Sequence, residues 1–334
     1  WQILPLGQTG YGDSPYQSFS AFAGNPYFID FDILNDEGIL SKAEYINENY
    51  GDNEECIDYG LLFNIKYIVL RRAYENFKKS HNFLLKEYFE SFKEANNWWL
   101  DNYSLYMAVK GKFNLASWQE WDDDIKKRRP EAIELYRNEL SDEIEFWSFI
   151  QFLFFKQWNE LKSYANEKGI KIIGDMPIYV AEDSADVWSN PEAYLIYEET
   201  LKPISIAGCP PDAFSEIGQL WGNPLYDWNY MEKTGYKWWI KRVEESLKLY
   251  DVVRIDHFRG FESYWEIPYG DTTAINGEWV KGPGIKLFNA IKESLGEINV
   301  IAEDLGFLTK EVKEFLEETG FPGMKVLQFA FDER

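Results

Sequence analysis

The sequence predicts an α/β fold of the (β/α)8, TIM-barrel type, and three observations carry that prediction. Short apolar runs alternate with longer helical stretches, the pattern of a parallel sheet wrapped by helices. Acids gather where those runs end, at Asp175, Asp256 and the pair Glu303–Asp304. Polar groups converging at strand C-termini are where barrels build their sites. A doubly wound sheet is the alternative, but no glycine-rich phosphate loop opens a helix after the first apolar run.

Residues 1–6, Trp-Gln-Ile-Leu-Pro-Leu, read as a buried strand that stops at proline. Residues 7–25 follow as an irregular loop rich in glycine, serine and aromatics, where α/β proteins place ligand contacts. From 41 to 168 apolar residues recur at three- and four-residue steps, as in Ala73, Phe77 and His81, Phe89, Phe92 and Ala95, or Phe146, Phe149 and Leu153. This stretch reads as a mostly helical insertion between barrel strands, with His81 a solvated helix residue. A strand is expected over 171–180, and a loop-rich, proline- and glycine-dense substrate-binding insertion over 181–251.

The stretch 252–260, Val-Val-Arg-Ile-Asp-His-Phe-Arg-Gly, has the form of a buried parallel strand delivering charge at its tip. Side chains alternate, so Arg254 and Asp256 face one way while Val253 and Ile255 pack behind. The guanidinium is expected to keep Asp256 ionised and lower its pKa; a purely structural Arg–Asp pair is the plainer reading. A further strand over 299–306, a helix over 309–319 and a strand over 324–331 close the chain.

Composition narrows the chemistry. With 57 acidic against 34 basic residues the net charge is −23, which repels nucleic acid and anionic membranes. No apolar run is long enough to span a bilayer. Cys56 and Cys209 are too few for a disulfide framework and fit a reducing cytoplasm, and with His81 and His257 they do not suggest zinc. No cofactor motif or EF-hand spacing is present. Aromatics make up 18% of the chain, and amphipathic rings suit a neutral polar ligand such as a sugar, although many must fill the core. Two carboxylates flanking one bond are the usual apparatus for glycosidic cleavage. Asp256 would be the charged member; an apolar setting after Val-Ile-Ala suits Glu303 to acid work, though spacing alone does not choose between Glu303 and Asp304.

Six segments together resemble one family. They are Trp-Gln-Ile-Leu-Pro-Leu-Gly-Gln-Thr-Gly-Tyr-Gly-Asp-Ser-Pro-Tyr-Gln-Ser at the start, Gly-Asp-Met-Pro-Ile-Tyr-Val, Pro-Pro-Asp-Ala-Phe-Ser, Gly-Gln-Leu-Trp-Gly-Asn-Pro-Leu-Tyr, Arg-Ile-Asp-His-Phe-Arg-Gly and Ala-Glu-Asp-Leu-Gly. The chain is similar to amylomaltase, the 4-alpha-glucanotransferase family called disproportionating enzyme in plants. The resemblance implies a retaining transglycosylase of the α-amylase-like superfamily, acting on 1,4-alpha-glucans such as maltooligosaccharides, starch or glycogen. It implies Asp256 as nucleophile and Glu303 as general acid/base, with Arg254 and His257 near the cleavage site. Tyr16 would be a platform under the sugar with Ser14 beside it. Asp175, read from its place at a strand tip and not from the resemblance, is a ligand contact or the floor of the site, with a structural role the equal alternative. Asp212, Gln219, Trp221 and Asn223 match substrate-contacting positions of a mobile loop. It also implies one barrel strand before Trp1 and a third catalytic aspartate after Arg334, so the chain is expected to be an incomplete barrel from a longer active enzyme. An α-glucan hydrolase with the same carboxylates and a non-catalytic glucan-binding protein are the alternatives; the oligomeric state is left open.

Overall fold

Apolar stripes and capping side chains set the helices of this protein. The computed structural model describes all residues except 11, 54, 214, 307 and 332–334, so Tyr11 and Phe214 of two quoted motifs lie outside the described residues. The chain divides into two compact units, Gly7–Leu161 and Trp1–Leu6 with Lys162–Arg334.

The unit Gly7–Leu161 carries α1 (Phe31–Asp36), α2 (Tyr59–Lys79), α3 (Phe83–Lys112), α4 (Asp123–Lys126), α5 (Pro130–Glu139) and most of α6 (Ser141–Glu167). Asp58 starts α2 by accepting the Leu61 N–H, and the helix then buries Val69, Leu70, Ala73, Tyr74 and Phe77 along one face. Its core is aromatic: Phe77 stacks on Phe149 at 4.6 Å, and Phe89 meets both edge-on. His81 is exposed but lies just past the C-cap of α2 rather than on the helix. Ala95 also faces solvent, because the long α3 turns its buried stripe elsewhere.

The irregular loop at 7–25 is tied down by buried amides. Gln8 accepts from the Tyr103 hydroxyl at 2.9 Å and donates to that of Tyr67 at 2.8 Å. Gln151 clasps both backbone groups of Gly24, accepting at 2.8 Å and donating at 2.9 Å. The Gln151 bonds satisfy main-chain polar groups that a buried loop would otherwise leave unpaired.

The other unit is α/β. Its strands are β1 (Ile173–Met176), β2 (Ser205–Cys209), β3 (Gln219–Pro224), β4 (Val252–Ile255), β5 (Ser263–Pro268), β6 (Glu278–Lys281) and β7 (Val300–Ala302). Its helices are α7 (Ala185–Ser189), α8 (Trp228–Lys233), α9 (Lys237–Leu249), α10 (Ile285–Leu295) and α11 (Lys310–Thr319). β1, β4 and β7 pair in parallel, and single parallel bridges at Gln2–Ile173 and Ala302–Gly323 extend the sheet on either side. Spatial order thus follows chain order without reversal. That is an arc of a (β/α)8 barrel and not a doubly wound sheet, whose order reverses at a switch point.

A second sheet, antiparallel in the order β3-β2-β5-β6, was not foreseen. Two of its strands lie within 181–251, the stretch expected to be loop-rich. Prolines and glycines mask the strand pattern there, and pairing in space supplies what local periodicity does not. The strand expected over 324–331 is corrected: its pairing stops at Gly323, and Leu327–Phe331 form a 3-10 turn.

Two features fix the floor of the parallel sheet. Arg242 of α9, buried, donates to the Pro177 and Ile178 carbonyls and to the Tyr226 hydroxyl, satisfying the backbone just past β1. The Tyr250 ring lies against Gly174, where an added Cβ would meet ring carbons at 2.1–2.2 Å, and its hydroxyl accepts the Leu6 N–H at 3.3 Å. Gly174→Ala should therefore cost about 1–3 kcal/mol of unfolding free energy through overpacking, measured by urea denaturation; an unchanged midpoint would contradict this packing.

Candidate active site

Strand alternation places the charges. Val253 and Ile255 are 0% and 1% exposed, so Arg254 and Asp256 project to the other face. β1 pairs with β4 so that Asp175 stands directly beside Arg254. The guanidinium bridges two carboxylates: its Nη1 donates to Asp175 Oδ1 at 2.6 Å and to Asp256 Oδ1 at 2.9 Å. Asp175 is buried, so its charge is matched by geometry and not by water. The Asp256 N–H donates to the Met176 carbonyl at 3.0 Å, which holds the strand tip against β1.

Glu303 enters from the end of β7. Its Oε2 accepts the His257 N–H at 3.0 Å, and its Oε1 accepts the Leu305 N–H at 2.7 Å. His257 itself is left-handed, with φ 50°, an uncommon backbone for a residue other than glycine. The chain then turns into Phe258, whose ring packs with Phe261, Phe288 and Phe315 at 5.2–5.7 Å. That cluster roots the tip of β4 on α10 and α11. Asp304 points elsewhere, accepting the Met324 N–H at 2.6 Å, so the structure separates the two acids that spacing left ambiguous.

Electrostatics correct one expectation. Burial pushes the Asp256 carboxyl above its ordinary value; Arg254 pulls it down and the Asp175 charge pushes it up, and burial prevails. The lowering expected from the arginine alone is therefore outweighed. Burial likewise pushes Glu303 up, with backbone N–H groups opposing and the Asp256 charge adding to it. The His257 imidazole is pushed down to about 3 by burial and by Arg259, so it is neutral.

The remaining predicted residues are spread more widely. Trp221 of β3 meets the His257 ring edge-on at 4.8 Å, and its indole N–H donates to Gln219 Oε1 at 3.0 Å. Asn223 is buried and donates to the Val180 carbonyl at 2.8 Å. Asp212 is exposed and accepts the Ser215 N–H at 2.9 Å, shaping a turn. Ser14 and Tyr16 belong to the unit Gly7–Leu161, where the Tyr16 N–H meets Ser14 Oγ at 3.3 Å. That unit also carries an open cleft of about 1000 Å³, walled by Tyr27, Tyr59, Tyr67 and Trp147 with Arg71 and Arg72.

Three residues near the carboxylates escaped the sequence reading. The Met324 sulfur accepts from Arg254 Nε at 3.1 Å. The Arg259 guanidinium lies 3.9 Å over the Trp279 ring. The Cys209 thiol is pushed up to about 12 by burial, with Arg259 opposing and Asp212, Glu303 and Asp256 adding to the rise. Only the arginine, two residues after His257, carried a local signal; the others arrive from distant segments. Among the described residues no cluster of three or more His, Cys, Asp or Glu is placed to hold a metal ion, and no helix is long and apolar enough to cross a membrane.

Arg254→Met should leave the buried Asp175 carboxylate without its guanidinium and cost about 3–5 kcal/mol in stability. The same change removes the downward pull on Asp256, so its carboxyl should titrate at higher pH still. Chemical denaturation and carboxyl-carbon NMR titration read the two effects; an unaltered Asp256 titration would contradict the bridge.

A protein family described as 4-alpha-glucanotransferase matches residues 1–334. The chain is 62% identical over 331 residues to a 4-alpha-glucanotransferase of Clostridium butyricum, covering 99% of this chain and 67% of that protein. It is 55% identical to one from Streptococcus pneumoniae, covering 99% of this chain and 65% of that protein. Amylomaltase from Streptococcus agalactiae, solved in complex with acarbose, superposes with a TM-score of 0.96 at 47% identity, over 100% of this chain and 67% of that one. The chain thus spans about two thirds of the length of the relatives it matches. On the full-length match and these identities, the chain belongs to the 4-alpha-glucanotransferase family.

Proposed function

We propose that this chain carries the nucleophile and proton donor of a retaining 4-alpha-glucanotransferase, with Asp256 and Glu303 in those roles. The observation that supports it most is the joint seating of the two acids: Arg254 holds Asp256, and the amide of His257, the residue after Asp256, holds Glu303. Two carboxylates in one partly desolvated site are what cleavage through an oxocarbenium-like transition state needs.

In the first step an Asp256 oxygen bonds to the anomeric carbon while Glu303 gives its proton to the departing glycosidic oxygen. The C–O bond breaks, a glycosyl ester forms, and Glu303 is left charged. In the second step an acceptor hydroxyl gives its proton to Glu303 and displaces Asp256, restoring both acids. Burial favours a protonated Glu303 before the first step, and Arg254 steadies the carboxylate form of Asp256. A neutral His257 can hydrogen-bond a sugar hydroxyl without placing a positive charge beside the developing oxocarbenium ion. Asp175 acts through Arg254. Trp221 and Gln219 offer a ring and an amide to glucan, and Asn223 supports them by fixing β3 to the Val180 carbonyl. Ser14, Tyr16 and Asp212 are proposed as further sugar contacts on the strength of their motifs. The substrates would be 1,4-alpha-glucans and maltooligosaccharides, as in starch, glycogen or maltose metabolism; the acarbose bound by the Streptococcus agalactiae relative fits that class. A cytoplasmic setting agrees with Cys56 and Cys209 being free thiols.

With maltotriose, the full-length protein should yield glucose and a ladder of longer oligomers; products no longer than the substrate would mark a hydrolase. Asp256→Asn should abolish turnover, whereas a glucan-binding protein would keep its function. Glu303→Gln should lower kcat about 10²–10⁴-fold. The kcat/KM profile should be a bell. Its acid limb, from protonation of Asp256, should lie above 3.8, and its alkaline limb, from ionisation of Glu303, above 4.5. In a crystal structure the two carboxyl groups should stand roughly 5–5.5 Å apart; a separation near 9 Å would favour inversion.

A further inference from the structure

Arg254 has one face still to account for. Its Nη1 serves both Asp175 and Asp256, and both bonds engage a single nitrogen of the guanidinium. A third contact at the other end fixes the plane: Nε donates to the Met324 sulfur at 3.1 Å. Met324 is itself held from beneath, because Asp304 Oδ1 accepts its backbone N–H at 2.6 Å. Asp304 is 5% exposed and fills the space under Gly323, where an added Cβ would approach its carboxyl oxygens to 2.5 Å. Gly323 is the residue that bridges to Ala302 at the end of β7.

From this geometry we propose that Met324 and Asp304 are positioning residues for the reaction: Asp304 anchors the 323–324 backbone, and the Met324 thioether orients Arg254 so that its Nη1 meets Asp256. The adjacent acids Glu303 and Asp304 then divide the work. The first faces the reacting bond, and the second locks the next segment of the sheet against the arginine that holds the nucleophile. Apolar side chains of similar size would fill the volume of Met324 but offer Nε no acceptor. The inference rests on the proposed role of Asp256.

The test compares Met324→Leu, Met324→Gln, Asp304→Ala and Asp304→Asn on the full-length protein, with Asp256→Asn as reference. Met324→Leu keeps the bulk and removes the acceptor; kcat should fall roughly tenfold through misorientation, with KM little changed. The acid limb of kcat/KM should move to higher pH, because a loosened Arg254 lowers the Asp256 carboxyl less. Met324→Gln, whose amide oxygen can accept from Nε, should restore both kcat and the limb. Asp304→Ala should imitate Met324→Leu, and Asp304→Asn, which keeps an acceptor for the Met324 N–H, should not. A role in packing alone would change thermal stability while leaving the limb in place. If Met324→Leu and Asp304→Ala both fold and both keep the parent's kcat and acid limb, the positioning inference is overturned, whatever becomes of Asp256. If Asp256→Asn retains turnover, the function itself is misread.

Discussion

One guanidinium shared between two carboxylates is the constraint on which the site depends. Arg254 reaches Asp175 only because β1 and β4 pair in parallel with those residues in register, and it reaches Asp256 only because strand side chains alternate. A slip of one residue in that pairing would send the arginine into the core beside Val253 and Ile255 and leave Asp175 buried without a counter-charge. The ion pair therefore selects register as well as charge state. The ring of Tyr250 on Gly174 and the Arg242 bonds to the 177–178 carbonyls serve the same strand from below.

Burial and charge oppose each other at this site, and their balance differs between the two acids. Asp256 has the arginine as its counterweight, while Glu303 has two main-chain amides. Both carboxyls stand above their ordinary values because the walls exclude water more effectively than these partners compensate. The two acids differ in how a proton can be relinquished, since a fixed cation beside Asp256 favours its charged form whenever the carboxyl is free. On the proposed reaction, environment thus sorts two similar groups into unlike duties.

What the sequence revealed and concealed follows the reach of its signals. The strand at 252–255 and the helix at 310–319 carry local periodicity or a cap, and their outlines could be read from the residues. The charged tip at Arg254–Asp256 was visible for the same reason. The antiparallel sheet was not, because its strands are short, carry proline and glycine, and pair across tens of residues. Met324 illustrates the limit at the site: it meets Arg254 seventy positions away in the chain, and nothing in Phe-Pro-Gly-Met-Lys marks its sulfur as an acceptor. The direction of the Asp256 shift was hidden too, since the arginine next to it is written in the chain but the enclosing walls are not.

The left-handed turn at His257 divides a backbone duty from a side-chain one. Glu303 is gripped by peptide amides, which every amino acid except proline supplies, so that grip is indifferent to the side chain carried at position 257. Replacing the imidazole would remove its contact with Trp221 but leave that grip in place, provided the new residue accepts positive φ at little strain, as glycine, asparagine and aspartate do. On the proposed roles, contact with the sugar and custody of the proton are thereby encoded in different atoms of one residue.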